Sequence, residues 1–253
     1  MVIAIDVGNS AVKVARVAGG GVVEMTRLAT ASGPDRDAIG RLLGTDDGAI
    51  AMVSVVPGWS TAIEEVAALQ PGRPLVLATH RTIPISVRVA EPELVGADRL
   101  LGAWASLGLV GAPCIVVDVG TATTIDVVDA DGAFVGGAIL PGPVLGMRSL
   151  ARGTALLPPV PLELPADAIG RDTLGAIASG VILGHREAIG GLVDRMAGEL
   201  GGDRRPRVVL TGGDATVLGS PDWAERVEPE LLLRGLGVLA EQVLVERRVG
   251  SGT

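Results

Sequence analysis

The sequence predicts an α/β protein built from two copies of one strand-rich unit, and two observations support this. First, short apolar runs alternate along the 253 residues with segments of helical spacing, which is the pattern of α/β folds. Second, DVGTATTIDVVDADGAFV from Asp118 repeats DVGNSAVKVARVAGGGVV from Asp6 without a gap. A repeat of this length indicates a duplicated structural unit. We therefore expect two domains, residues 1–111 and 112–253.

The first copy contains a candidate phosphate-binding turn. An apolar run at residues 2–5 reads as a buried strand that delivers Asp6 into a turn with Gly8 and Asn9. Glycine lets the chain approach an anion closely, and turn N–H groups can donate to it. Lys13, near the start of the return strand, adds a cation. Taken alone, the same pattern fits an ordinary hairpin turn equally well.

The second copy changes this interpretation. In the gapless overlay Asp118 falls on Asp6, Gly120 on Gly8 and Thr121 on Asn9, and the apolar return strand at 124–128 falls on 12–17. Two such units facing each other would place two Asp-Gly loops on either side of one cleft. The repeat therefore predicts a clamp for the phosphates of a nucleotide.

The other elements follow from apolar periodicity and from turn residues. Helices are predicted at residues 35–43, 61–69, 100–109, 144–150, 172–182, 185–200 and 230–247, and strands at 49–56, 74–78 and 207–210. Residues 84–89 are predicted to be a strand or an extended approach, and the Pro-rich residues 156–165 must be extended.

Three further segments carry polar groups. Gly96-Ala97-Asp98-Arg99 precedes an Ala/Leu helix; it can be a solvated helix start, or Asp98 can accept a proton while Arg99 holds an anionic group. Thr211-Gly212-Gly213 ends a strand, and it is either a plain turn or a surface for a flat ligand such as a nucleoside. Thr173 is first of all a candidate helix cap.

The glycines of GGAILPG are a separate case. A plain turn is credible for Gly142, and less so for Gly136-Gly137.

Composition excludes several classes of function. The formal net charge of −8 argues against nucleic acid or an anionic membrane as a partner. With one phenylalanine, three tryptophans and no tyrosine, stacking platforms for single strands are lacking. The uncharged run 100–117 is interrupted by glycines and Pro113, so it divides into a helix and a strand rather than a membrane span.

The few cysteine and histidine residues exclude two further kinds of structural site. Cys114 is the single cysteine, which excludes an intramolecular disulfide and suits a reducing cytoplasm. Only His80 and His185 accompany it, so no His/Cys metal cluster can be drawn. The N-terminus has no basic region and meets Asp6 at once, so we expect no signal peptide.

Taken together, the motifs resemble a known family. The two Asp-Gly loops and the Thr-Gly-Gly turn resemble the actin, hexokinase and Hsp70 superfamily of duplicated ATP-handling domains. Within it, DVGNSAVK, GADR, DVGTATT, GGAILPG, Leu157-Pro158, the Thr173 segment and TGGDA resemble type III pantothenate kinase. The resemblance implies two ribonuclease-H-like, actin-like ATPase domains with the active site in the cleft between them. It also implies phosphorylation of pantothenate by ATP and Mg²⁺, the first step of coenzyme A synthesis.

The resemblance also implies roles for individual residues. The ATP phosphate loop would be formed by Asp6, Val7, Gly8, Asn9, Ser10, Ala11, Val12 and Lys13, with Thr121 as a further ATP contact. Pantothenate would meet Gly96, Ala97, Asp98 and Arg99, with Asp98 as proton acceptor. Asp118 would bind a monovalent cation, K⁺ or NH₄⁺. Thr173 would reach pantothenate across the interface of a cytoplasmic homodimer.

One departure from the family keeps two alternatives open. Where the family carries a substrate-binding tyrosine, this chain has Val89, which cannot supply a hydroxyl, and Val95 replaces a leucine. Losing such a contact would weaken pantothenate binding by about 1–3 kcal/mol. A catalytically weak, regulatory relative that binds nucleotide or pantothenate is therefore one alternative. A phosphoanhydride hydrolase of the same superfamily is the other, although the GADR element favours a bound alcohol.

Overall fold

The computed structural model describes residues 1–44 and 48–250, except the side chains at 248 and 250. Residues 45–47 and 251–253 of the two predicted domains lie outside this description. The strands are β1 (Val2–Val7), β2 (Ala11–Ala18), β3 (Gly21–Ala29), β4 (Ala49–Ser54), β5 (Leu75–Leu77), β6 (Cys114–Val119), β7 (Ala122–Val128), β8 (Phe134–Pro141), β9 (Arg207–Thr211) and β10 (Arg226–Val227). The helices are α1 (Arg36–Leu43), α2 (Pro57–Ala68), α3 (Ala97–Val110), α4 (Pro143–Gly153), α5 (Thr173–Ala178), α6 (Gly184–Leu200) and α7 (Leu231–Gly250).

The strands form two sheets of the same topology. One sheet has the order β3-β2-β1-β4-β5, and the other has the order β8-β7-β6-β9-β10. In each, the central strand pairs antiparallel with the following strand and parallel with a later one: β1 with β2 and β4, and β6 with β7 and β9. This agreement confirms that the sequence repeat is a structural duplication.

Strand register corrects the gapless overlay of the two copies. Asp6 pairs with Lys13, seven residues later, whereas Asp118 pairs with Thr124, six residues later. The second turn is therefore one residue shorter, and Thr124 rather than Ile125 stands at the position of Lys13. The sequence hid this difference, because small and β-branched residues fill both turns and either alignment keeps the aspartates in place.

Alternation along the central strands separates the core from the polar groups. Ile3, Ile5 and Val7 of β1 belong to a core that includes residues of α1 and α2. Ile115, Val117 and Val119 of β6 belong to the equivalent core of the second sheet. Asp6 and Asp118 therefore lie on the opposite faces of their sheets, at the carboxyl end of each central strand.

The chain divides into two compact units that differ from the predicted domains. The first comprises Met1–Ile85, Ala90–Ala105 and Glu230–Thr253, and the second comprises Ser86–Val89 and Ser106–Pro229. Assigning the last helix to the second domain was wrong, because α7 packs against β1, β4 and β2. The sequence marks residues 230–247 as an apolar helix but does not say which sheet the helix covers.

Three other segments can be compared with the prediction. The predicted helices 172–182 and 185–200 form one continuous path, since a π-helical stretch, Ser179–Leu183, joins α5 to α6. Residues 84–89 form no named strand, but Val87 makes an isolated bridge to Phe134 at the start of β8. The Pro-rich stretch has no regular secondary structure, as expected, and its Val160 is buried in a small core with Met147 and Ile177.

Candidate active site

Asp6 and Lys13 form an ion pair at the end of the first sheet. Their strands place them directly opposite each other, and Lys13 Nζ lies 3.3 Å from Asp6 Oδ2. The side chain of Asp6 is only 13 % exposed, and that of Lys13 is 21 % exposed. The hairpin thus brings the predicted cation and carboxylate of the phosphate loop together.

Asp98 lies at the start of α3, and one of its carboxylate oxygens accepts a backbone hydrogen bond and lies close to Gly96. The backbone N–H of Arg99 donates to Asp98 Oδ1 at 3.0 Å. A Cβ atom on Gly96 would come within 2.4 Å of the same oxygen. Any larger residue at position 96 would therefore displace the carboxylate, which gives the glycine of the GADR segment a physical reason.

The pKa of Asp6 reflects its burial and the charges of two other side chains of the first unit. Burial raises the pKa of Asp6, the Lys13 ammonium partly offsets this rise, and the Asp98 carboxylate raises it further. Asp6 is therefore influenced by one positive and one negative side chain of its own unit. Such an arrangement favours an additional cation, and carboxylate oxygens are suitable ligands for Mg²⁺.

Thr30 hydrogen-bonds the turn after β1, and Trp59 hydrogen-bonds Thr30; neither residue was assigned to the site from the sequence. Gly8 N–H donates to Ala11 O at 2.9 Å and closes the turn. Thr30, directly after β3, donates its hydroxyl to Gly8 O at 2.7 Å, and its own carbonyl accepts from Trp59 Nε1 at 3.1 Å. The predicted loop residues Val7 and Val12 are buried, whereas Asn9 and Ser10 are exposed.

In the second unit, Asp118 is half-buried against the Thr-Gly-Gly turn. A Cβ atom on Gly212 would lie 2.5 Å from Asp118 Oδ1 and 2.3 Å from Val119 O, and the φ of Gly212 is +105°. Asp214 N–H also donates to Val119 O at 2.9 Å. The two glycine-containing motifs of this unit therefore meet, and only glycine fits at position 212.

The turn that contains Thr121 closes in a different way. Gly120 N–H donates to Ala122 O at 3.1 Å, and Gly142 N–H donates to Thr121 O at 3.0 Å. A Cβ atom on Gly142 would lie 1.9 Å from Gly120 O. The interpretation of Gly142 as a plain turn residue was therefore wrong, because its backbone lies flush against the loop that presents Thr121.

Thr173 does not cap its helix. Asp172 is the N-cap residue of α5, and its Oδ1 accepts from Gly175 N–H at 2.7 Å. An aspartate one residue earlier supplies the capping oxygen equally well, and the exposed Thr173 occupies the first helical position.

Two polar side chains of β7, Asp126 and Thr123, were not identified from the sequence as part of the site. Asp126 is almost fully buried, and its Oδ2 accepts from Thr124 Oγ1 at 2.9 Å. Thr123 Oγ1 lies 2.9 Å from His185 Nε2, and burial lowers the pKa of this histidine. The available signal was a second Asp in DVGTATTID, but a strand pattern alone does not tell a buried aspartate from an exposed one.

Any metal ion bound in either unit would be coordinated by oxygen atoms. Among the residues that the structure describes, no three His, Cys, Asp or Glu side chains form a metal cluster. A divalent ion would therefore be held by one or two carboxylates together with the phosphates of a substrate, which is how Mg²⁺ is usually bound. Asp6, a carboxylate at the end of the central strand of the first unit, is of the kind that such a site needs.

The fold and these loops define the class of the protein. Two α/β units of identical strand order, each with an Asp-Gly turn after its central strand, form the actin-like ATPase and sugar kinase fold. MreB5 of Spiroplasma citri, solved with ADP bound, superimposes with a TM-score of 0.55 at 13 % identity, over 96 % of each chain. Within residues 1–44 and 48–250, no helix is both long and apolar enough to cross a bilayer.

Sequence comparison gives the particular family. The model of the type III pantothenate kinase family matches residues 2–195. A type III pantothenate kinase of Thermomicrobium roseum is 40 % identical over 93 % of this chain and 95 % of its own length. Another, from Moorella thermoacetica, is 34 % identical over 96 % and 99 %. The chain belongs to the type III pantothenate kinase family.

Proposed function

We propose that this protein transfers the γ-phosphoryl group of ATP to the primary hydroxyl of pantothenate, forming 4′-phosphopantothenate for coenzyme A synthesis. The observation that carries the proposal is the Asp6–Lys13 ion pair beside the turn after β1, in a chain that belongs to a kinase family. Phosphoryl transfer depends mainly on positioning and on neutralising charge, and a lysine held beside such a turn contributes to both.

The turn from Asp6 to Lys13 would hold the phosphates of ATP. Its glycine lets the backbone approach the anion, and Lys13, fixed by its ion pair with Asp6, adds positive charge. Asp6 would help to hold Mg²⁺, which when bound would neutralise the charge on the phosphates. Thr121, in the second Asp-Gly loop, is the proposed further contact to ATP.

Asp98 would accept the proton of the attacking hydroxyl. The bond from Arg99 N–H to Oδ1 orients its carboxylate, as a general base requires. Arg99 would bind the polar groups of pantothenate together with Gly96 and Ala97, as an arginine fork does for anionic groups.

The remaining assignments rest on the family resemblance. Asp118 is the proposed ligand for K⁺ or NH₄⁺, and its half-buried carboxylate beside backbone carbonyls suits such a cation. Thr173 would contact pantothenate across a homodimer interface, and its exposed position at the start of α5 allows this. We infer a cytoplasmic enzyme. Val89 lies against Gly136 in the second unit and supplies no hydroxyl to the substrate.

The test is ATP-dependent formation of phosphopantothenate by the purified protein, in K⁺ and in Na⁺. In Asp98→Asn we expect kcat to fall by about 10²–10⁴-fold, because the amide cannot accept the proton. Binding of ATP, measured by calorimetry, should be retained. Full activity in this variant would contradict the role of Asp98.

The alternatives give different results in the same assay. A hydrolase would release phosphate from ATP at an undiminished rate without pantothenate. A regulatory protein would bind pantothenate or ATP in a folded state without forming product in either salt. In that case Val89→Tyr is the next variant to test.

A further inference from the structure

Thr30 makes two hydrogen bonds to the turn that follows β1. Its Oγ1 donates to Gly8 O at 2.7 Å, and its N–H donates to Ser10 O at 3.2 Å. Gly8 and Ser10 belong to the proposed phosphate loop, yet Thr30 lies at the end of β3, outside that segment. One residue therefore sets the direction of two loop carbonyls.

The core holds Thr30 in turn. Trp59 of α2 is 3 % exposed and belongs to the core of the first unit. Its Nε1–H donates to Thr30 O at 3.1 Å. Hydrogen bonds therefore run from a buried tryptophan through Thr30 to the loop, and each is made to a backbone carbonyl.

The bond to Gly8 O has a consequence for the next peptide group. The described peptide bond between Gly8 and Asn9 is trans, and in a planar trans peptide the C=O and N–H point in opposite directions. Because Thr30 holds Gly8 O on its own side, the N–H of Asn9 points away from Thr30. Asn9 is an exposed residue, and its N–H lies on the side of the peptide that faces away from Thr30.

We propose that Thr30 is a positioning residue for nucleotide binding: its hydroxyl aims the Asn9 N–H at a phosphate oxygen of ATP. The proposal rests on the proposed function in assigning this loop to ATP. Thr30 itself touches no substrate. Its effect is to keep the donor oriented before ATP arrives, which lowers the free-energy cost of ordering the loop on binding.

The test compares Thr30→Val with Thr30→Ser. Valine keeps the size and branching of threonine but lacks the hydroxyl, whereas serine restores the hydroxyl. We expect Thr30→Val to raise the Kd for ATP·Mg²⁺ about 5- to 10-fold, and to raise KM for ATP while KM for pantothenate stays within about twofold. Thr30→Ser should recover most of the ATP affinity.

A matched control separates this role from a general loss of stability. Thr82 Oγ1 donates to Leu77 O at 2.6 Å in the same unit, beyond β5. Thr82→Val removes a comparable hydroxyl bond together with the bond that Thr82 Oγ1 accepts from Thr79 N–H at 2.8 Å, so it should lower Tm at least as much as Thr30→Val, with unchanged ATP affinity. Unchanged ATP affinity in Thr30→Val, or an equal rise in both KM values, would overturn the proposal.

The binding measurement keeps this proposal separable from the proposed function. If wild-type protein forms no phosphopantothenate but binds ATP more tightly than Thr30→Val does, the proposed reaction fails and the role of Thr30 stands. If wild-type protein forms product and Thr30→Val binds ATP equally well, the reaction stands and the role of Thr30 is refuted.

Discussion

The turn after β1 and the turn after β6 descend from the same repeated segment but close in different ways. The first closes with Gly8 N–H bonded to Ala11 O, and the second, one residue shorter, with Gly120 N–H bonded to Ala122 O. The residue after the third strand then donates its N–H to each turn: Thr30 to Ser10 O, and Gly142 to Thr121 O. Thr30 and Gly142 are therefore equivalent, and Asn9 is the extra residue.

One added residue in the turn determines whether a side chain can hydrogen-bond the loop. In the shorter turn the backbone lies so close that a Cβ atom on Gly142 would overlap Gly120 O at 1.9 Å. In the longer turn there is room for a whole threonine side chain, whose hydroxyl bonds the equivalent carbonyl at 2.7 Å. The second loop receives a backbone bond from Gly142, whereas the first receives, besides a backbone bond, the hydroxyl bond of a side chain that can be altered without moving the backbone.

The largest effect is expected from Gly142→Ala. The added methyl group would displace Gly120 and Thr121, and such overpacking costs about 1–3 kcal/mol of the free energy of unfolding. Gly146→Ala in α4 is the matched control, because nothing lies within 4 Å of its Cβ position; a helical alanine there should leave stability equal or higher. Thermal unfolding of both variants measures the difference. Equal Tm values would show that the second loop is not held as tightly as described.

The next effect tests the extra residue directly. Deleting Asn9 gives the first turn the length of the second, so the side chain of Thr30 would collide with Gly8 O as any side chain at Gly142 would with Gly120 O. We expect this deletion to lower the free energy of unfolding by about 1–3 kcal/mol. Combining it with Thr30→Gly should restore part of that loss, although ATP binding would remain weak. No recovery in the combined variant would argue against the equivalence of Thr30 and Gly142.

The smallest effect concerns Asp6, whose neighbour differs from that of its counterpart in the second unit. Asp6 lies opposite the charged Lys13, whereas Asp118 lies opposite the uncharged Thr124. Burial raises the pKa of Asp6 despite Lys13, so the ionised carboxylate is disfavoured in the folded state. Its contribution to stability is full below the ordinary pKa of 3.8 and is lost as the pH rises through the raised pKa. Asp6→Asn should therefore be inactive but more stable at pH 7, with Tm higher by roughly 2 °C.

Unfolding measured from pH 3.5 to pH 7 checks this sign. The stability difference between Asp6→Asn and wild type should approach zero at the acid end and grow toward neutral pH. An Asp6→Asn protein that is less stable than wild type at pH 7 would mean that the ion pair with Lys13 outweighs the burial of the carboxylate.

The sequence predicted the fold class and the duplication, because both depend on local patterns. Alternating apolar residues define the strands, and Asp-x-Gly recurs at the end of each central strand. The same patterns placed Lys13 near the start of the return strand, and the structure shows that it lies opposite Asp6. The family membership that follows from these motifs is confirmed by the comparisons.

What the sequence missed depends on contacts between residues distant along the chain. A threonine after a strand carries no motif, so the bond from Thr30 to Gly8 appears only in three dimensions. The close approach of Gly142 to Gly120 depends on turn length, which the gapless overlay concealed. The capping role given to Thr173 belongs to Asp172, because neighbouring Asp and Thr residues are both good caps and local sequence does not rank them.

The packing of α7 has a consequence for synthesis of the protein. This helix covers the first sheet, and its Leu233, Leu236 and Leu239 are buried, yet all of the second unit precedes it along the chain. As the polypeptide leaves the ribosome, the second unit is therefore complete while one face of the first sheet still lacks its cover. Domains generally fold from the N-terminus onward during translation; here the nucleotide loop comes first in the chain, but its unit is the last to be finished.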